Sequence, residues 1–93
     1  MKDIFVVYAH IVDANGTFNA LSGYPKAFKS DSYDGDIIKA RQRAIGDWHE
    51  VMGAFAKRDD RKVQAAYVMQ MSSGAVIASG MYGTLDEEEV ESE

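Results

Sequence analysis

The chain has 93 residues, of which 46% are hydrophobic and 27% are charged, and this size and composition are typical of one small globular domain. The sequence contains no cysteine, which excludes disulfides, cysteine nucleophiles and thiolate metal sites. Because a domain this small leaves much of its surface in water, burial of a further face in a homo-oligomer is expected to add stability.

The formal net charge of −5 comes from one segment of the sequence. Residues 86–93 read DEEEVESE and carry six acidic side chains, whereas residues 1–85 carry ten basic and nine acidic side chains. We expect residues 86–93 to be a disordered acidic tail, because they lack apolar periodicity and repel one another. The folded domain is expected to span residues 1–85 and to be close to neutral.

Residues 2–13 predict the first strand. Their side chains alternate between two faces and are rich in β-branched and aromatic residues. Both faces are largely apolar, which indicates a central strand covered by a helix on one side and by another body on the other.

A hairpin is predicted to follow this strand. The pair Asn15 and Gly16 is typical of a two-residue type I′ turn, which would place Asp13 opposite Phe18. The returning strand is expected to loosen just before Pro25, because proline has no backbone N–H to donate to a sheet.

The stretch SDSYDGDIIKARQRA, residues 30–44, leads into a segment with helical periodicity. From Ile37 onward, apolar side chains recur at three- and four-residue spacing, which predicts an amphipathic helix over roughly residues 35–57. Ser32 or Asp34 is expected to cap its first N–H groups, and Asp36 to complement the positive end of the helix dipole. The predicted buried stripe consists of Ala40, Ala44, Trp48, Val51, Met52 and Phe55.

Two more strands complete the predicted fold. They cover residues 63–71 and residues 75 to about 82, with a tight turn at Ser73 and Gly74 between them. The fold class is α+β, with a two-layer ββαββ architecture in which one amphipathic helix lies across one face of a four-stranded antiparallel sheet. One helix covers only one face, so the other face is predicted to contact a partner or a second copy.

No motif for catalysis or metal binding is complete. A calcium-binding loop has glycine sixth and glutamate twelfth, whereas counting from Asp31 places Gly35 fifth and Gln42 twelfth. His49 begins a partial H-E-x-x-H zinc motif, but Gly53 replaces the second histidine. No serine lies in a Gly-x-Ser-x-Gly elbow. We therefore expect no metal site, no cofactor and no enzymatic activity.

Four residues are candidates for a binding site: Arg41, Trp48, His10 and Tyr8. On a helical wheel Arg41 falls inside the predicted apolar stripe, where its stem would lie along the core edge or its guanidinium would bind an anion or a partner. His10 lies on an apolar strand face and is interpreted either as a core or edge histidine or as a ligand. A pocket for a small ligand at a dimer interface, lined by Arg41, Trp48 and His10, is a further interpretation.

The leading hypothesis is a small non-enzymatic protein that self-associates as a homodimer or larger homo-oligomer and occludes or recruits a protein partner. It is expected in the cytoplasm, or inside a host cell if the source is viral, and away from membranes, because the apolar run in residues 1–14 is shorter than the ~20 residues of a membrane span. The alternative is a single-stranded nucleic-acid-binding protein whose acidic tail is regulatory. The basic residues of this alternative are Lys39, Arg43, Arg58, Arg61 and Lys62.

Overall fold

The computed structural model describes residues 2–56, 58 and 61–80. One helix packs across one face of a five-stranded antiparallel sheet, which confirms the predicted α+β class. The predicted tail at residues 86–93 and the domain boundary at residue 85 lie outside the described residues. In chain order the elements are β1 (Ile4–Asp13), β2 (Phe18–Ala20), β3 (Lys26–Lys29), a 3₁₀ helix (Ser30–Tyr33), α1 (Ile37–Ala56), β4 (Arg61–Gln70) and β5 (Ala75–Gly80).

The sheet is centred on β1 and β4. Its order is β2–β1–β4–β5, and β3 pairs with the same edge of β1 as β2 does. The prediction of four strands in ββαββ order is therefore one strand short, because the second predicted strand is divided into β2 and β3. The division falls at residues 21–25, where Pro25 cannot donate to the ladder. Together β2 and β3 occupy the position of one strand.

The β1–β2 hairpin has a three-residue connection instead of the predicted type I′ turn. Phe18 pairs with Val12, one position away from the predicted partner Asp13. The Gly16 N–H donates to the Asp13 carbonyl at 3.0 Å, and Gly16 has a φ of 82° while Asn15 stays outside the positive-φ region. This is a type I turn followed by a left-handed glycine. The Asp13 carboxylate favours it, because its Oδ1 accepts two backbone N–H groups of the loop, both at 2.9 Å.

Asp36 caps the N-terminus of α1. Its Oδ1 accepts the Lys39 N–H at 3.0 Å, which satisfies one of the otherwise unpaired donors of the first turn. The predicted caps are wrong: Ser32 belongs to the preceding 3₁₀ helix, and Asp34 has a left-handed φ of 58°. The acidic stretch thus begins a helix, as predicted, but α1 starts at Ile37, two residues later than expected.

The core lies between α1 and one face of the sheet. Odd-numbered residues of β1 point toward the helix, and Phe5 and Val7 are completely buried. The predicted helical stripe is confirmed, because its alanines, Val51 and Phe55 are buried while Trp48 and Met52 are half-buried and pack against them. The buried apolar residues are Phe5, Val7, Ala9, Ile11, Ala40, Ala44, Val51, Phe55, Val63, Ala66 and Val68.

A buried carboxylate joins the start of β1 to the turn between β4 and β5. Asp3 is 7% exposed, and its Oδ2 accepts hydrogen bonds from Gln70 Nε2 at 2.7 Å and from Ser72 Oγ at 2.9 Å. Its Oδ1 accepts the N–H groups of Ile4 and Ser72. The bond from Gln70, opposed by burial and reinforced by the other bonds, lowers the pKa of Asp3. The ionised carboxylate therefore belongs to the folded structure.

Candidate interaction surface

The sheet face opposite α1 is not covered by any described part of the chain. Directly paired residues of an antiparallel ladder point to the same side of the sheet, so the pairing defines this face. Val6 pairs with Met69, and Tyr8 pairs with Tyr67, on the side away from the helix. We call this surface the open face, and its positions are Ile4, Val6, Tyr8, His10, Val12, Phe18, Ala20, Ala27, Lys29, Lys62, Ala65, Tyr67, Met69, Val76 and Ser79.

Most side chains of the open face are apolar and adjacent to one another. Phe18 is 66% exposed at one edge of the sheet, and Val76 is 52% exposed at the other. Single exposed apolar side chains are ordinary on monomeric proteins, but a contiguous apolar patch across a whole sheet face is uncommon and marks an interaction site. The open face is therefore the strongest candidate for a binding surface in the described part of the chain.

Tyr8 and Tyr67 form the centre of the open face. They are cross-strand partners on β1 and β4, their ring centroids are 4.9 Å apart, and their planes are inclined by 20°. Such a pair stabilises two neighbouring strands by roughly 0.2–1 kcal/mol. Both side chains are half-buried with no element above them in the described residues, so each ring keeps surface for a partner.

The charged side chains of the open face are basic. Lys29 pairs with Ile4 near one end of the face, Lys62 pairs with Val12 near the other, and the exposed His10 lies between them. In the part of the chain that the structure describes, no carboxylate belongs to an open-face position. The described carboxylates are those of Asp3, Asp13, Asp31, Asp34, Asp36, Asp47 and Glu50.

A shallow groove of about 430 Å³ crosses the open face between β4 and β5. Ser79, a small residue on β5, leaves the larger side chains of Tyr67 and Met69 on β4 uncovered. The groove is consequently walled mostly by carbon. The residues that line it are Ala65, Ala66, Tyr67, Met69, Val76, Ser79 and Gly80.

The four binding residues predicted from sequence do not come together within one chain. Tyr8 and His10 lie on the open face, whereas Trp48 lies on the helix side of the sheet. Trp48 is half-buried, and its Nε1 donates a 2.9 Å hydrogen bond to the carbonyl of Ala66. Arg41 is exposed on α1 instead of lying within the apolar stripe. The sheet therefore separates the predicted residues into two pairs.

The basic residues of the nucleic-acid hypothesis form two groups along α1. Lys39 and Arg43 are exposed on its first half, whereas Arg58, Arg61 and Lys62 follow its end. The helical rise alone separates Arg43 from Ala56, the last residue of α1, by about 20 Å. The two groups do not form one groove, and of this set Lys62 occupies an open-face position.

A polar cleft of about 250 Å³ lies on the helix side of the sheet. At its edge Asp47 accepts a 2.5 Å hydrogen bond from the Tyr24 hydroxyl and lies 3.4 Å from Lys26 Nζ. Burial and the neighbouring Asp47 raise the pKa of Tyr24. The contact between Asp47 and Lys26 joins α1 to β3. Because the half-buried Asp47 carboxylate is already paired, the cleft offers a ligand less than the open face does. Its lining residues are Phe28, Tyr33, Gln42, Arg43, Gly46, Asp47 and Glu50.

Within residues 2–56, 58 and 61–80, no group of three or more histidine, aspartate or glutamate side chains is placed to hold a metal ion. Within the same residues, no helix has the length and apolar character needed to cross a bilayer.

Comparison with protein-family models, with curated proteins and with solved structures finds no match to this chain. The geometry of the open face is therefore the basis for a functional proposal.

Proposed function

We propose that the chain is a small non-enzymatic binding protein that contacts a protein partner through the open face and self-associates through the same surface. The observation that carries this proposal is a contiguous apolar patch on β1 and β4, uncovered in the described part of the chain and centred on Tyr8 and Tyr67. Burial of apolar surface is favourable by about 25 cal/mol per Å², so covering this patch supplies the driving force.

The dimensions of the open face suit a modest interface. A face about 26 Å long and about 19 Å wide, from the rise and spacing of strands, covers on the order of 500 Å² before side-chain relief is added. Specific interfaces begin near ~600 Å² per partner. A homodimer stacked on this face has four layers, with the two sheets in the middle and the helices outside. Because this area is near the lower limit for a specific interface, we expect such a dimer to exchange with another protein that binds the same face.

The proposal is tested by light scattering after size exclusion. Val6→Glu places a carboxylate in the middle of the open face, and Gln42→Glu adds the same charge on the exposed side of α1 as a matched control. We expect the wild-type protein and Gln42→Glu to run as oligomers and Val6→Glu to run as a monomer with unchanged circular dichroism. Equal masses for all three proteins would reject the open face as the self-association surface.

Binding of single-stranded nucleic acid is a second candidate function. It is favoured by the Tyr8–Tyr67 pair beside basic groups, on a face whose described positions include no carboxylate. Bases stack on aromatic rings with roughly 1–3 kcal/mol each, and Lys29 and Lys62 supply contacts for phosphates. This placement differs from the sequence-based hypothesis, because the rings and Lys62 share a sheet face and not a basic groove along the helix.

A labelled oligonucleotide separates this candidate from the first. Tyr67→Ala removes one stacking ring, and Tyr33→Ala makes the same change on the helix side of the sheet. We expect binding to weaken in Tyr67→Ala, to persist in Tyr33→Ala, and to fall steeply with salt because phosphate contacts release counterions. If binding is unchanged in Tyr67→Ala or does not depend on salt, nucleic acid does not bind at the open face.

A further inference from the structure

We propose that the protein partner supplies an extended segment that pairs with the outer edge of β5 and places large apolar side chains in the groove between β4 and β5. The outer edge is the side of β5 away from β4, and no strand within residues 2–56, 58 and 61–80 pairs with it. The inference rests on the proposed function, since it takes the open face as the partner's binding site. It adds the conformation of the partner and the pattern of its side chains.

The hydrogen bonds of the central strands determine which backbone groups of β5 lie on the outer edge. The N–H of Met71, directly after β4, donates to the carbonyl of Ile4 on β1 at 2.9 Å. Backbone groups of successive residues in a strand point to opposite edges. Met69 and Tyr67 alternate with Met71 in the same register, so they direct their N–H and C=O groups to β1 and not to β5.

Val76 and Ser79 consequently carry the backbone groups of the outer edge. Val76 pairs with Met69, and Ser79 pairs with Tyr67. Since Met69 and Tyr67 bond to β1, the N–H and C=O groups of Val76 and Ser79 point away from β4. An extended segment that lies antiparallel to β5 can bond to both N–H groups and both C=O groups, which is how a peptide adds a strand to an exposed sheet edge.

A bulge in β5 matches these groups to a regular strand. The register shifts between Val68 and Met69, so Ile77 is an extra residue on β5. Val76 and Ser79 are therefore opposite alternate residues of β4, although two residues lie between them on β5. A partner segment of regular strand geometry can follow the same spacing, with alternate residues opposite Ser79 and Val76.

The two edges of the sheet differ in how well they resist such pairing. The edge formed by β2 and β3 is interrupted at Pro25 and carries Lys26 and Lys29. Short strands, proline and lysine are the usual protection of an exposed edge. By contrast, β5 reads AVIASG, with no proline and no charged side chain. An added strand is therefore accepted more readily at β5 than at the opposite edge.

The groove specifies the side chains of the added segment. Directly paired residues point to the same side of a sheet, so the residue opposite Ser79 places its side chain on the open face. Ser79 is small and exposed, and a large side chain can lie across it against Tyr67 and Met69, in the groove of about 430 Å³. None of the described residues that line this groove is charged, so a charged side chain there would lose hydration without gaining a partner. The segment is therefore expected to carry large apolar or aromatic residues at alternate positions.

The experiment titrates the ¹⁵N-labelled full chain with a synthetic peptide in which phenylalanine and threonine alternate between two terminal glutamines. The protein is kept at a concentration where light scattering shows monomers. We expect the largest changes of amide chemical shift at Val76 and Ser79, together with slower exchange of these two amides with deuterated water. Asn19 in β2, on the opposite edge, should be unchanged. No response at β5, or a larger response at β2, would overturn the inference.

Methylated peptides test the backbone contact. N-methylation of the phenylalanines removes the donors that face β5 and should weaken binding by about tenfold or more. N-methylation of an equal number of threonines, whose N–H groups point away from β5, should change the affinity by less than about twofold. Alanine in place of the phenylalanines should also weaken binding by about tenfold, because the groove is then left unfilled. Equal effects of the two methylations would contradict strand addition.

A pair of charge variants tests the position of the segment. Ser79→Glu places a carboxylate beside the groove, and Ser22→Glu adds the same charge at an exposed position between β2 and β3. We expect about tenfold weaker binding of the peptide to Ser79→Glu and unchanged binding to Ser22→Glu, because a charge on an edge strand opposes pairing. Equal affinities of the two variants would place the peptide elsewhere and reject the inference.

Two further outcomes separate this inference from its alternatives. Slow exchange of the Val76 and Ser79 amides before any peptide is added would mean that the chain itself or a second copy already covers the edge, which would also overturn the inference. The oligomer test with Val6→Glu has a separate readout. Peptide binding at β5 without oligomers would reject self-association alone, and oligomers without a response at β5 would reject strand addition alone.

Discussion

The indole nitrogen of Trp48 donates a 2.9 Å hydrogen bond to the carbonyl oxygen of Ala66, which joins the middle of α1 to the central strand β4. Trp48 also packs against both clusters of the core. This directional bond adds to the apolar contacts that fix the position of the helix on the sheet. Trp48, a predicted binding residue, thus has a structural role in this fold.

We predict that Trp48→Phe lowers the free energy of unfolding by about 1–2 kcal/mol, because the ring is largely kept while a buried carbonyl loses its donor. Urea denaturation followed by circular dichroism measures this change. Ile38→Ala, at a side chain that is 67% exposed on the same helix, is the control and should cost less than about 0.5 kcal/mol. Equal losses in the two variants would contradict a role for the bond.

Adjacent valines on β1 distinguish the two faces of the sheet. Val7 is fully buried against α1, whereas Val6 is half-buried on the open face. Val7→Ala should cost about 2–3 kcal/mol and Val6→Ala less than about 1 kcal/mol, although both lose the same atoms. The two variants are compared by denaturation at a protein concentration where the chain is monomeric. The measurement is then repeated at higher concentration, where a larger cost for Val6→Ala would add support for self-association through the open face.

The lowered pKa of Asp3 predicts that the fold loses stability in acid. Its pKa is lowered in the fold, chiefly by the Gln70 hydrogen bond, so its stabilisation is present above the unfolded value near pH ~3.9 and is lost as the pH falls through the folded value. Asp3→Asn should be less stable at neutral pH and should show a smaller further loss on acidification. Urea titrations over pH measure both. Asp31→Asn, which changes an exposed ion pair, should keep the wild-type profile.

The raised pKa of Tyr24 predicts that the fold loses stability in alkali. Burial and then Asp47 raise its pKa, so the fold favours the neutral phenol and loses stability as the pH rises above the unfolded value near ~10. Tyr24→Phe should cost about 1–2 kcal/mol at neutral pH, through the hydrogen bond to Asp47, and should lose less stability in alkali. If Tyr33→Phe, the control, changes the alkaline profile equally, Tyr24 is not the cause.

Periodicity accounts for the parts of the fold that were predictable from sequence. Residues 2–13 alternate in strand fashion, and the spacing that follows Ile37 is helical over several turns, so β1 and the buried stripe of α1 are confirmed. Two of the errors lie where one side chain bonds to nearby backbone. Asp13 selects a three-residue hairpin loop and Asp36 caps the helix, and such local contacts have no periodic signal.

The candidate site was predictable only in part. Tyr8 and His10 follow from the alternation of β1, but Tyr67 joins them only when the register between β1 and β4 is known. Tyr67 does carry a signal, since it shares strand parity with Met69 and Met71, two further large apolar residues. Arg41 was predicted to lie inside the apolar stripe, but it is exposed. A helical wheel gives the direction of a side chain from the helix axis and does not give its burial.

The bond between Asp3 and Ser72 joins positions 69 residues apart, and the pairing of β1 with β4 likewise joins early and late parts of the chain. At about 5–20 residues per second of translation, Ser72 follows Asp3 by roughly 3–14 seconds. During synthesis β1 is therefore complete several seconds before its central neighbour exists. A chaperone that binds nascent apolar strands can contact β1 while β4 is not yet available to pair with it.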